Sequence, residues 1–249
     1  MKTIVKLLII FVLSNTLQNT KAQMEWIDFG NGSDGQEPQI DLYSNTSLSA
    51  NFYGIYRHFI SANDTIYDVL KLPGNCSKSE DFGFPLLEAK TCYIEVTTDT
   101  PSISINSLDF YIIDNFYLWP AQNEKELWDE SPISPFEKND SIYSLNKFYP
   151  ENIVKIRYPK IIRGHKIASI AFFPVQFNPV TKQLKVYRNI DITIHGAGSE
   201  RSTYDNAHFD SFLNNILINY IPESDPDFNI DLMIITPTEY ESALLPFKE

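Results

Sequence analysis

Between Phe52 and Ile194 the apolar residues fall in short runs rich in Ile, Val, Tyr and Phe, each closed by Pro, Gly or Asn/Asp. CYIEVTT (92–98), LDFYII (108–113), IVKIRY (153–158) and KIASIAFF (166–173) are short, β-branched and aromatic, and so predict strands. Residues 166–194 predict a hairpin. KIASIAFFPVQF leads into the turn signal Asn178-Pro179-Val180-Thr181-Lys182, and LKVYRNIDITI returns. In the return strand Ile190, Ile192 and Ile194 face one way and Asp191 and Thr193 the other, the alternation of a half-buried antiparallel strand. Short strands at this spacing predict an all-β fold, an antiparallel β-sandwich or jelly roll, rather than a parallel sheet. Residues 23 to about 50, rich in Gly, Ser and Asn (GNGSDGQ at 30–36), predict a loosely held lead-in.

The pattern changes twice more. Phe209, Phe212, Leu213, Ile216, Leu217 and Tyr220 keep a 3.6-residue period, predicting one closing helix that ends before Pro222. The acidic, Pro-containing stretch at 222–229 reads as a linker. Ile230–Ile235 then has the composition of a buried parallel strand. Thr236-Pro237-Thr238-Glu239 forms a capping box, and Tyr240, Ala243, Leu244 and Phe247 make one apolar helix face. Residues 230–249 thus read as the start of an α/β domain whose remaining elements are expected beyond Glu249.

At the other end, Lys2 and Lys6, the apolar Leu7–Leu13 and the small-residue site Thr20-Lys21-Ala22 predict a secretory signal peptide over 1–22 and an exported product. That apolar run is far shorter than the roughly 20 residues a membrane helix needs, and no later run suffices. The expected organisation is a signal at 1–22, a β-module at 23–221, a linker at 222–229 and a truncated α/β start at 230–249.

Charge narrows the partners. The formal charge of −12 becomes −15 without the three lysines of residues 1–22, which disfavours nucleic acid, whose phosphates need clustered Lys and Arg. Cys76 and Cys92 flank a loop with Gly83 and Pro85 and fit one disulfide in an exported protein. The four histidines show no metal-ligand spacing, and no Gly-rich loop precedes a strand–helix unit, so no cofactor is expected. His58, His165, His195 and His208 also lie in no recognisable nucleophile motif with either cysteine. Trp26, Trp119 and Trp128 suit a core or a sugar-binding face. The long stretch from Pro120 to Asn152, of mixed acidic, Pro and aromatic character, is the best candidate for a binding element.

IIRGHKIASIAFFPVQFNPVTKQLKVYRNIDITIHG (161–196) resembles the most recognisable part of the gingipain-type propeptide, the N-terminal pro-domain of secreted bacterial cysteine peptidases. The Arg-Gly at 163–164 and Pro-Val-Gln-Phe-Asn-Pro at 174–179 carry the likeness. FGFPLLEAKTCYIEV (82–96) is similar to that family's G-x-P-x-L segment, FLNNILINY (212–220) to its closing helix, and DLMIITPTEYESALLPFKE (231–249) to the start of the peptidase domain. The resemblance implies a β-sandwich that assists folding of the peptidase domain of its own chain and keeps it latent, with the catalytic Cys-His pair downstream. It implies a basic residue on a loop before the Arg-Gly strand that enters the peptidase's specificity pocket. Lys125, Lys138 and Lys147 lie in that region. Lys147, in SLNKFYP beside Phe148 and Tyr149, is the first candidate, and Asp140 is the alternative if the peptidase lacks a basic preference. No Lys or Arg lies between Arg201 and Lys248, so separation in the linker, where the polar, Pro-broken sequence predicts it, needs a specificity other than the gingipain one, or else the cut falls at Arg201 or inside the β-module. A β-sandwich binding or adhesion module is the other reading of the same residues.

Overall fold

The computed structural model describes residues 24–30, 32–79, 81–123, 135–198 and 207–221. The signal segment, the linker at 222–229, the 230–249 segment, Lys125, Trp128, Arg201 and the side chain of His208 lie outside them. In chain order the elements are β1 (Glu25–Asp28), β2 (Gln39–Ser44), β3 (Ser47–Asn51), β4 (Gly54–Ala62), β5 (Thr65–Lys71), β6 (Ser77–Lys78), β7 (Glu88–Glu95), β8 (Ser102–Asp114), α1 (Asp140–Tyr143), β9 (Val154–Ile162), β10 (His165–Phe172), β11 (Val175–Asn178), β12 (Gln183–His195) and α2 (Ala207–Ile216).

All the strand pairs are antiparallel, in the orders β1-β4-β5, β6-β7-β10-β9 and β11-β12-β3-β2, with β8 along the other edge of β12. This is the all-β antiparallel architecture the strand spacing predicts. Turn chemistry fixes two hairpins. Asn63-Asp64 joins β4 to β5, and Arg163-Gly164 joins β9 to β10, each pair with positive φ at both positions. Two residues with that sign make the type I′ turn, whose twist matches the strands it connects. The Arg-Gly of the sequence resemblance is therefore a hairpin corner.

One core lies between the sheets. β12 contributes Leu184, Val186, Ile190, Ile192 and Ile194, all essentially inaccessible, while Asp191 and Thr193 stay half-buried on the other face. β10 contributes Ala168, Ile170 and Phe172, and β7 adds Ala89 and Ile94. Each large aliphatic side chain buried this way stabilises the fold by about 1.5–3 kcal/mol.

Three expectations are corrected. Residues 166–194 are not one hairpin: β10 stops at Phe172, the chain turns at Pro174, and Val175–Asn178 continues as β11 in a different sheet. Proline lacks the N–H that would extend the β10 ladder, so the break falls there. The Gly-rich lead-in is not loose, because β1, β2 and β3 all pair, and Phe29, Leu48 and Ala50 are core residues. The closing helix is shorter than its period. α2 ends at Ile216, Leu217 bridges Tyr93 on β7, and the Ile218 N–H donates to the Tyr93 carbonyl (3.0 Å).

α2 lies on the outer face of the β6-β7-β10-β9 sheet, where Leu213 and Leu217 pack on Ile167. Beneath it His165 Nδ1 meets Glu95 Oε1 at 2.6 Å, both side chains 1% exposed. Asn219 then clamps the Glu95 backbone from both sides: its Oδ1 accepts from Glu95 N (2.8 Å) and its Nδ2 donates to Glu95 O (3.0 Å). The Arg163 guanidinium lies over the Phe209 ring. Among the described residues no helix is long and apolar enough to cross a membrane.

Candidate functional site

The candidate Lys147 sits on a loop between α1 and β9 that is pinned to the body at both ends. The N-terminal anchor is Asn139. Its Oδ1 accepts from Ile142 N (3.3 Å), capping α1, and its own N–H donates to the Gly83 carbonyl (2.9 Å). Gly83 has φ +78°, and a Cβ there would lie 3.1 Å from Asn139 N, so the glycine allows the loop to approach. Tyr143 follows, buried, with its hydroxyl donating to the Leu118 carbonyl at 2.7 Å. Burial, reinforced by Tyr117 and Tyr67, pushes its pKa far above the usual tyrosine value, so it remains a donor.

The second anchor comes from β11. Asn178 Nδ2 donates to Asn146 Oδ1 (2.8 Å), one residue before Lys147. Tyr149 and Phe177 exchange both backbone hydrogen bonds, at 2.9 and 2.7 Å. Gln176, 7% exposed, donates from Nε2 to the Pro150 carbonyl (2.6 Å) and accepts at Oε1 from the Tyr187 hydroxyl (2.6 Å). Asn178 Oδ1 also accepts from Val180 N and Thr181 N, closing the β11–β12 turn. The two polar residues of Val-Gln-Phe-Asn thus hold the loop. Polar residues inside a buried strand need partners, and here the partners are on the loop.

Lys147 stands exposed between these anchors, and its Nζ meets Glu151 Oε1 at 2.8 Å. That ion pair holds the Glu151 carboxyl below its ordinary pKa. Beside it a cavity of about 320 Å³ is lined by Ile142, Leu145, Phe148, Pro150 and Lys155 among others. Phe148 and Tyr149 do not form a free rim next to Lys147. The Lys185 ammonium lies over the Phe148 ring, and Tyr149 packs on Phe84 with its hydroxyl on Asp81 Oδ2 (3.3 Å). The side chain free to project with Lys147 is Leu145, 49% exposed. Asp140, the alternative, is exposed at the start of α1 and paired with Lys138 (3.0 Å).

The expected Cys76–Cys92 bridge is not formed in the structure: both thiols are free. Cys76 Sγ donates to the Pro73 carbonyl (3.6 Å), and both side chains pack against the core. Burial raises the Cys76 thiol to about 11 and Cys92 to about 12, the reverse of the shift that makes a reactive thiolate. His165 is engaged by Glu95 and His195 by the Ser104 hydroxyl (2.7 Å). Among the described residues no three His, Cys, Asp or Glu side chains converge as metal ligands. Trp26 packs edge-on to Tyr56, and Trp119 sits in an aromatic cluster with Tyr67 and Phe136.

The antiparallel β-sandwich thus holds one exposed loop at both ends. The family model described as Propeptide_C25 matches residues 48–224, and the chain belongs to that family, the propeptides of gingipain-type cysteine peptidases. It is 28% identical over 114 residues to gingipain R1 of Porphyromonas gingivalis (42% of this chain, 12% of that protein). It is 30% identical over 83 residues to Lys-gingipain HG66 of the same species (33% of this chain, 5% of that protein). The chain therefore spans a small part of the curated relatives it matches. The fold is similar to that in a structure on the zymogenic latency of gingipain K from P. gingivalis (TM-score 0.56, 21% identity, 70% of this chain and all of that one). It is also similar to that in the complex of P. gingivalis RgpB pro- and mature domains (TM-score 0.62, 17% identity, 75% of this chain and all of that one).

Proposed function

We propose that this module is the latency and folding element of a secreted gingipain-like cysteine peptidase, acting on the peptidase domain that begins near residue 230 of its own chain. The observation that carries the reading is the propeptide family match over 48–224, which spans the strands from β3 onward and the closing helix. The loop geometry supports it. Hydrogen bonds from Asn139, Tyr143, Asn178 and Gln176 fix the backbone around Lys147, so little ordering entropy is lost when the loop enters a cleft. In this reading Lys147 exchanges Glu151 for a carboxylate in the specificity pocket, and Leu145 packs beside it. The chain itself performs no catalysis, the organisation is signal, pro-module, linker and peptidase start, and the product is exported.

The test is inhibition in trans. The mature peptidase, freed of its pro-module, is titrated with the module secreted from residues 23–221, using a fluorogenic peptide substrate. Stoichiometric inhibition is expected, and an unaffected peptidase would exclude a latency role.

A further inference from the structure

α2 covers only part of the outer face of the β6-β7-β10-β9 sheet. It covers Ile167 and leaves a groove of about 440 Å³ beside it, toward the β9 edge of the sheet. Tyr93, Tyr158, Ile162 and Ile216 form its apolar lining, with Arg157 and Lys160 beside them. Tyr158 is 81% exposed, Tyr93 48% and Ile162 40%. Large apolar side chains grouped on one exposed face mark a contact surface. We propose that this groove is a second docking surface for the peptidase domain of the same chain, contacting an acidic surface with an apolar centre. This rests on the latency reading above.

Chain path selects that occupant, and charge the kind of surface it must present. From Asn152 to Ile190 the sequence carries eight Lys or Arg and no acid, although the whole chain has a formal charge of −12. β9 and its turn hold Lys155, Arg157, Lys160 and Arg163, so the groove lies within the basic part of an acidic molecule and complements an acidic partner. The chain also leaves the module there. Ile216 lines the groove, Leu217 pairs with Tyr93, and Ile221 is exposed where the described segment ends. Residues 222–229 reach at most about 29 Å when fully extended. A domain starting at 230 is thus held near the groove, and tethering makes its docking an intramolecular event.

The same strand joins the groove to the loop. Lys155 lines the cavity beside Lys147, and Arg157, Tyr158, Lys160 and Ile162 continue along β9 into the groove. The partner rests on the sheet face and does not extend the sheet. Pro159 removes a donor from the β9 edge, and the ladder to β10 is irregular between Ile167 and Ser169, opposite that proline.

The experiment uses the secreted full-length precursor, cut at the pro–peptidase junction and passed over a sizing column, with affinity measured by biolayer interferometry. Tyr158→Asp and Lys160→Glu alter exposed side chains, so the melting temperature of the pro-module should stay at the parent value. Each is expected to weaken the module–peptidase complex, together on the order of 100-fold, with Lys160→Glu also flattening the salt dependence. Parent-like affinity in both variants overturns the groove while leaving latency through the loop intact. A parent module that dimerises through these residues, with peptidase affinity unchanged in the variants, overturns it as well. A parent module that does not associate with the peptidase overturns the latency reading itself, and this inference with it.

Discussion

Gln176→Leu tests the internal support of the loop. The side chain is 7% exposed and makes two 2.6 Å hydrogen bonds, to the Pro150 carbonyl and from the Tyr187 hydroxyl. Leucine has similar volume, so the cavity term is small and the cost comes from two buried polar groups left without partners. Each such group costs about 1–3 kcal/mol, so the substitution should destabilise the module by roughly 2–6 kcal/mol. Tyr187→Phe alone should cost about 1 kcal/mol, because it removes one hydrogen bond while Gln176 keeps Pro150. In the double variant the hydroxyl orphaned by Gln176→Leu is gone, so the combined loss should fall short of the sum by about 1–2 kcal/mol. Urea denaturation of the four proteins, followed by tryptophan fluorescence, closes the cycle. Additive losses within about 0.5 kcal/mol would refute the claim that Gln176 acts by satisfying Tyr187 as well as the loop.

Other outcomes follow from the site and its surroundings. Lys147→Ala should weaken inhibition of the mature peptidase on the order of 10–100-fold at unchanged melting temperature, and an unaltered inhibition constant would remove Lys147 as the inserted residue. Glu151→Gln should leave stability unchanged, since the carboxylate is exposed, and a lowered melting temperature would contradict that. Two thiols should titrate with a disulfide reagent in denaturant and neither should react quickly in the folded module; a single-bridge mass without reductant would show that they pair. Because burial raises the Cys92 thiol in the folded state to about 12, its contribution is fully present below the unfolded pKa near 9 and is lost between 9 and 12 as pH rises. The slope from that thiol is about 1.4 kcal/mol per pH unit at most, and Cys92→Val should remove it from the pH profile of unfolding.

The strands were legible because their residues agree with a pleated, half-buried surface, and the Ile190, Ile192, Ile194 alternation survives unchanged in β12. What periodicity does not carry is sheet membership. KIASIAFF and VQFN both read as strand, yet Pro174 separates two ladders, and only the packed core decides which sheet each joins. The short strands β2 and β3 were hidden for another reason: Ser44, Asn45 and Thr46 around their turn, with Ser47, Ser49 and Asn51 in β3, outweighed the alternation of Ile40 and Leu42. Leu217 and Tyr220 fit the helical period but lie past the end of α2, where Leu217 bridges Tyr93 and both join the apolar cluster of its inner face. The loop around Lys147 was visible as an unusual stretch. Its supports were not, because Gln176, Asn178 and Gly83 meet it only after the chain has folded back.

The family-like motifs gain a physical meaning from that folding. Gly83 lets the loop approach at Asn139, Gln176 and Asn178 hold it at Pro150 and Asn146, and Arg163-Gly164 turns β9 back into β10. Arg163 in turn reaches Phe209 on α2, while Glu95, next to His165, is gripped by Asn219 just before the chain departs. These contacts place the β9 face and the exit point on one sheet. A force or cleavage acting near residue 222 therefore pulls first on Asn219 and Leu217 at the β7 edge. The loop anchors on β11 belong to the other sheet, across the Pro174 break. In the latency reading, cutting the linker alone should leave every loop anchor in place, so loss of the tether and withdrawal of Lys147 would be separate steps, and full release would require the sandwich to detach or to be degraded as well.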